Sequence, residues 1–139
     1  MTGLPFGGGI VMSLVTGRAL IVEDDRSWQQ ILAEILADSG LEVDLADNLE
    51  QAIGAIRSDQ HRLAVVDLSL VGLDHSNQDG LLVLDALRDH DPHCRAILLT
   101  GYATAEQAVH AVTEHGAFTC LRKETFQRTE FKELIRREI

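Results

Sequence analysis

From Arg18 onward the chain alternates short unbroken apolar runs with longer stretches in which apolar residues recur every third or fourth position. This alternation restricts the fold more than any other feature of the sequence. Ala19-Leu20-Ile21-Val22 has the continuity and β-branched content of a strand buried on both faces. Trp28, Ile31, Leu32, Ile35 and Leu36 then follow at the spacing of one helix face, with Gly40 as its stop. Leu41 to Leu45 reads as a second strand, and Leu49, Ala52, Ile53 and Ile56 mark a second helix. Leu63 to Val66 is a third strand, stopping at Asp67. After a loop, a helix beginning near Asp79 turns Leu81, Leu84 and Leu87 inward, and Ala96 to Leu99 is a fourth strand. Ala105, Ala108, Val109 and Val112 form the inward stripe of a fourth helix, which Gly116 ends. Phe118 to Leu121 is the fifth strand, and Phe131, Leu134 and Ile135 face inward from the last helix.

Strands that alternate with helices imply a parallel sheet covered on both faces. Right-handed crossovers make a doubly wound α/β fold the expected arrangement, here a (βα)5 parallel five-stranded sheet in the order 2-1-3-4-5. The 139 residues fit one domain, with no internal repeat or linker. We place that domain at residues 18–139 and read residues 1–17 as a flexible N-terminal tail, because Gly7-Gly8-Gly9 interrupts them. The tail has no Lys or Arg and so lacks the charged start of a signal peptide. No apolar run approaches the ~18 residues of a membrane span. With only Cys94 and Cys120, there is no disulfide framework; both read as buried thiols in a reducing, cytoplasmic setting. The net charge of −10 repels phosphate backbones and anionic lipid, which argues against nucleic-acid or membrane binding by this domain.

In such a sheet, ligands bind outside the carboxyl ends of the strands. After the first strand come Glu23, Asp24 and Asp25; after the third, Asp67; after the fourth, Thr100; after the fifth, Lys123. Two unit negative charges about 4 Å apart repel by about 4 kcal/mol at an effective dielectric of about 20, so such a cluster needs a cation. The donors are hard oxygens, with no His or Cys among them, which selects Mg²⁺ or a similar ion over Zn²⁺. Lys123 offers a mobile positive charge and Thr100 a hydroxyl, both suited to phosphoryl oxygens. Asp67 is then placed to act as a nucleophile, forming an aspartyl-phosphate. Asp25 reads as the cap of the first helix. Trp28 reads as core or rim of that helix, and the six histidines as surface residues.

The segments Ile21-Val22-Glu23-Asp24-Asp25, Val65-Val66-Asp67, Leu98-Leu99-Thr100-Gly101 and Leu121-Arg122-Lys123 resemble the four signatures of response-regulator receiver domains of the CheY-like superfamily. The resemblance runs from Arg18 to about Arg137 and implies the flavodoxin-like strand order. It implies that Asp24 and Asp67 ligate Mg²⁺ with the backbone carbonyl of Ser69, and that Glu23 acts through a bound water. It makes Asp67 the phosphoacceptor, Thr100 the switch hydroxyl and Lys123 the phosphate-binding lysine. The implied donor is a histidine kinase or phosphotransfer protein, and the implied readout is the surface of helix four, strand five and helix five. An output domain or a homodimer would complete the signal. Such a domain is a regulatory phosphoacceptor, not a turnover enzyme.

Three features depart from the family pattern. Cys120 stands where the switch aromatic belongs, with Phe118 two residues earlier. Glu124 replaces the proline after the lysine, so a trans Lys123–Glu124 bond is expected. The loop from Leu68 to Gln78 is about five residues longer than usual, with Val71 at a common proline position and Asp74, His75, Ser76 and Asn77 expected in solvent. These departures leave room for a second reading, a phosphorylation-independent pseudo-receiver that serves as an interaction module. A hydrolase of the haloacid-dehalogenase type would need a carboxylate where Ser69 stands.

Overall fold

The computed structural model describes residues 17–72, 74, 76–101 and 104–138. The expected tail before Gly17 lies outside the described residues, as do His75, the side chain of Ala105 and the final residue of the expected domain. The elements run β1 (Arg18–Val22), α1 (Arg26–Asp38), β2 (Glu42–Ala46), α2 (Leu49–Ser58), β3 (Leu63–Val66), α3 (Asp79–His90), β4 (Arg95–Thr100), α4 (Ala105–Glu114), β5 (Thr119–Arg122), a 3-10 turn (Lys123–Thr125) and α5 (Arg128–Glu138). All strand pairs are parallel and the sheet order is β2-β1-β3-β4-β5, the doubly wound order expected.

Side chains alternate across a strand, so each central strand divides its apolar residues between two layers. Ala19 and Ile21 join Val65, Ile97 and Leu99 beneath α1 and α5, where Leu32, Ile35, Phe131 and Ile135 complete the packing. Leu20 and Val22 join Val66 and Leu98 on the opposite face, against Ala52, Ile56, Leu84 and Leu87 of α2 and α3. Burial on both faces is why β1, β3 and β4 read as unbroken apolar runs. Local chemistry sets the helix starts. The Asp25 carboxylate accepts from the Trp28 N–H at 3.1 Å, Asn48 caps α2 in the same way, and Thr104 with Gln107 forms a capping box on α4. Gly40 and Gly116 take positive φ just past α1 and α4, as expected of C-terminal stops. No cis peptide bond occurs among the described residues, in line with a trans Lys123–Glu124 bond.

Several expectations need correction. The edge strands start at Glu42 and Thr119, one residue later than the apolar runs suggest, because an edge strand pairs on one side only and hydrophobicity marks its limits poorly. On α4, Val109 and Val112 point to solvent and Ala111 is the buried residue. The side chain this helix places in the core is the small Ala111, so a search for bulky apolar residues picks the wrong line. The reading of all histidines as surface residues fails for His61, which is buried with Nε2 at 2.8 Å from Asp44 Oδ2. Asp44 also takes Arg18 at 2.7 Å, making a three-residue cluster across β1, β2 and the start of β3. The two cysteines are free and half-buried, not fully enclosed.

Candidate functional site

The parallel ladders continue past the strand ends. Glu23 N donates to Ala46 O at 3.0 Å and Asp67 N to Val22 O at 2.9 Å, which fixes the two acidic residues side by side at the carboxyl edge of the sheet. Thr100 is the last residue of β4, buried, in register with Arg122, and Lys123 follows immediately. Sheet topology therefore brings these sequence-distant residues to one edge.

Carboxylate oxygens of Glu23, Asp24 and Asp67 all lie within 4.8 Å of one another. Glu23 is 2% exposed and Asp67 8%. Lys123 Nζ bridges two of them, 2.5 Å from Glu23 Oε1 and 2.8 Å from Asp67 Oδ2. Burial, and then the charge of Asp67, pushes the Glu23 carboxyl up to about 8 against the pull of Lys123. Burial works to lower the Lys123 ammonium, but its bonds to Asp67 and Glu23 outweigh this and hold it above its ordinary range. The pocket thus concentrates negative charge around one ammonium. Its three carboxylates present only hard oxygen donors, which fit Mg²⁺ and lack the N or S ligands of a zinc centre.

Supporting contacts hold this set in place. Glu23 Oε2 accepts from the Asp25 N–H at 3.1 Å, and Gln29 Nε2 donates to the Glu23 carbonyl and to Asp47 Oδ1, each at 2.6 Å. The Trp28 ring lies 5.3 Å from Lys123 Nζ, and Phe126 packs against it with centroids 5.1 Å apart. Trp28 is thus the rim residue expected, but it also walls the lysine. Gln29 and Asp47 carried no motif that could have singled them out.

The described residues of the long loop are tied to the same edge. Leu68 and Leu70 are buried, the Ser69 hydroxyl donates to the Asp74 carbonyl at 2.7 Å, and Asn77 Oδ1 accepts from the amides of Leu70 and Asp79. The Gly72 N–H donates to Asp24 Oδ2 at 2.7 Å. Asp74 and Ser76 are exposed as expected, whereas Asn77 is half-buried and ties the loop to the start of α3. On β5, Cys120 is half-buried and Phe118, just ahead of the strand, is partly exposed beneath the Arg95 guanidinium.

Residues 19–136 match the family model of the response regulator receiver domain. The chain is 32% identical over 112 residues to a putative NtrX-like response regulator of Rickettsia bellii, covering 81% of this chain and 22% of that protein. It is 34% identical over 93 residues to the acid tolerance regulatory protein ActR of Rhizobium meliloti, covering 67% of this chain and 45% of that one. The chain therefore spans less than half the length of these relatives. Among solved structures, a CheY-like receiver domain protein from Methanospirillum hungatei superposes with a TM-score of 0.77 at 26% identity, over 88% of this chain and 92% of that one. A response regulator from Burkholderia pseudomallei, solved with a phosphorylated aspartic acid, calcium ion and citrate, gives 0.72 at 28% identity, over 88% and 72%.

Proposed function

The chain belongs to the response regulator receiver domain family, and on that premise we propose that it is a phosphoacceptor switch whose nucleophile is Asp67. The observation that carries this reading is the bridge of Lys123 to Asp67 and Glu23 at 2.8 and 2.5 Å, beside a third carboxylate, Asp24. A carboxylate nucleophile, a divalent-cation pocket and a phosphate-binding ammonium stand within reach of one another. The related Burkholderia protein, which carries a phosphorylated aspartic acid and a calcium ion, supports the same chemistry.

Asp24 and Asp67 would hold Mg²⁺ directly, with the Ser69 carbonyl as a third protein ligand and Glu23 acting through water. When bound, the ion neutralises charge that builds on the transferred phosphoryl group. The protein's own residues do the rest. An Asp67 carboxylate oxygen attacks the phosphorus of a phosphohistidine on a kinase or phosphotransfer protein. The new O–P bond forms as the N–P bond breaks, and the electron pair returns to the donor imidazole. Lys123 moves from the carboxylates to a phosphoryl oxygen, and the Thr100 hydroxyl donates to another. Moving the switch from mostly off to mostly on needs about 5 kcal/mol of differential stabilisation, the amount this reading asks of a doubly charged group held by these donors. The surface that responds is α4, β5 and α5, where Val109 on α4 and Phe118 just before β5 already present apolar area to solvent. No helix among the described residues is long and apolar enough to cross a membrane, and we assign the domain to the cytoplasm as residues 18–139 of this chain.

Incubation with a small phosphodonor and Mg²⁺ tests the reading. Wild type is expected to form one acid-stable, base-labile adduct, absent from Asp67→Asn. No adduct, or an undiminished adduct in the variant, would leave the pseudo-receiver reading in its place.

A further inference from the structure

Away from the acidic edge, the end of α4 meets α3, and two histidines face each other there. His115, the residue that ends α4, points Nδ1 at Asp85 Oδ1 of α3 across 2.6 Å. A carboxylate only accepts, so Nδ1 carries a proton, and the tautomer that leaves the ring uncharged puts a lone pair on Nε2. That Nε2 lies 3.1 Å from Nε2 of His110, with ring centroids 4.8 Å apart and ring planes at 72°. Two imidazoles on one ion, each bound at about 2.05 Å, hold their nitrogens roughly 2.9 Å apart at a right angle and about 3.3 Å apart at a tetrahedral one. The observed separation falls between. The ring centroids would then stand about 4.8 Å apart, as observed, whereas a collinear N–H···N bond puts them at roughly 5.4 Å.

The geometry points to a site for one imidazole-preferring divalent transition-metal ion, of the Zn²⁺ class, held by Nε2 of His110 and His115. Asp85 fixes the tautomer and direction of His115, which is the usual role of a carboxylate behind a metal-binding imidazole. His110 is exposed and His115 half-buried, so an ion enters without rearranging the core. Water fills the remaining coordination positions, and Glu106 and Glu114 stand one helical turn to either side of His110 to offset the ion's charge. Arg88, which lies 3.4 Å from Asp85, also donates to the Glu114 carbonyl and so braces the same junction of helices. A bound ion would clamp the last turn of α4, whose His115 already reaches Asp85 of α3, independently of phosphorylation. This site differs in donor type from the oxygen-only pocket around Asp67.

Calorimetric titration of the untagged full chain with Zn²⁺, in excess Mg²⁺, tests the proposal, with imidazole nitrogen NMR to locate the ion. One Zn²⁺ per chain is expected, shifting the Nε2 resonances of His110 and His115. His110→Ala and His115→Ala should each weaken binding at least about tenfold, and Asp85→Asn by about tenfold. A Cys94→Ser/Cys120→Ser double variant should bind as wild type does. Because His110 is exposed, its variant leaves the fold intact. No Zn²⁺ binding, unmoved His110 and His115 resonances, or an affinity that survives both histidine substitutions would overturn the site and leave a plain His–His hydrogen bond.

Discussion

Gly80 packs against the peptide of Asp67 so closely that a β-carbon on it would stand 2.2 Å from the Asp67 carbonyl oxygen and 2.7 Å from the α-carbon of Leu68. Its N–H donates to Leu68 O at 2.8 Å, so the first turn of α3 is locked onto the backbone that carries the proposed nucleophile. Gly80→Ala must push that backbone aside and is expected to destabilise the domain by about 1–3 kcal/mol and to slow phosphorylation. Gly54, inside α2 with nothing within 4 Å of a built β-carbon, makes the contrast. Gly54→Ala should gain about 0.5–1 kcal/mol, since alanine suits a helix interior and restricts the unfolded chain. Urea unfolding of the two variants checks both signs; a harmless Gly80→Ala would contradict the contact.

On the proposed reading, a substitution at Lys123 separates phosphate binding from cation binding. In Lys123→Met the carboxylates lose the ammonium that Mg²⁺ must displace, so Mg²⁺ should bind at least as tightly as in wild type. Phosphorylation by a small donor should fall by about a hundredfold or more, because a donor aimed at the transferred group is gone. Parallel Mg²⁺ titration and phosphorylation kinetics read the two effects, and loss of Mg²⁺ binding would contradict this division.

Trp28 is the sole tryptophan and lies 5.3 Å from Lys123 Nζ. On the proposed reading the ammonium leaves the carboxylates for a phosphoryl oxygen, which changes the field at the indole. Fluorescence should therefore respond to Mg²⁺, and again to a phosphodonor. The second response should vanish in Asp67→Asn. A signal indifferent to both additions would place the lysine's motion elsewhere.

Burial, aided by the nearby Asp91 charge, pushes the Cys94 thiol up to about 12, and burial raises Cys120 as well. Thiolate is the reactive form, so neither residue should be readily modified near neutral pH. Labelling of the native chain should be far slower than that of free cysteine and should keep rising with pH through the alkaline range, without the plateau of a fully ionised thiol. Fast stoichiometric labelling near pH 7 would contradict this.

Much of the fold was legible because strands buried on both faces write themselves as Ala19–Val22, Leu63–Val66 and Ala96–Leu99, whatever lies around them. The meeting of Glu23, Asp24, Asp67 and Lys123 was legible for a related reason: parallel topology sends every strand end to one edge. What escaped depends on long-range approach between unpatterned residues. Nothing in the sequence announces that Gly72 will reach Asp24, that Gln29 will tie the Glu23 backbone to Asp47, or that His61 will be buried beside Asp44. Val109 and Val112 misled because their helical spacing is that of a buried stripe, while the side chain that α4 buries is Ala111.

The central claim is that oxygens from the tips of β1 and β3 share one divalent ion within reach of the Lys123 amine. A crystal grown with Mg²⁺ and beryllofluoride tests this most directly. We expect the fluoride adduct on an Asp67 carboxylate oxygen, the ion against Asp24 and Asp67, and Lys123 Nζ on a fluorine. An Asp67 carboxylate without adduct and turned away from Asp24, with no ion between them, would contradict it.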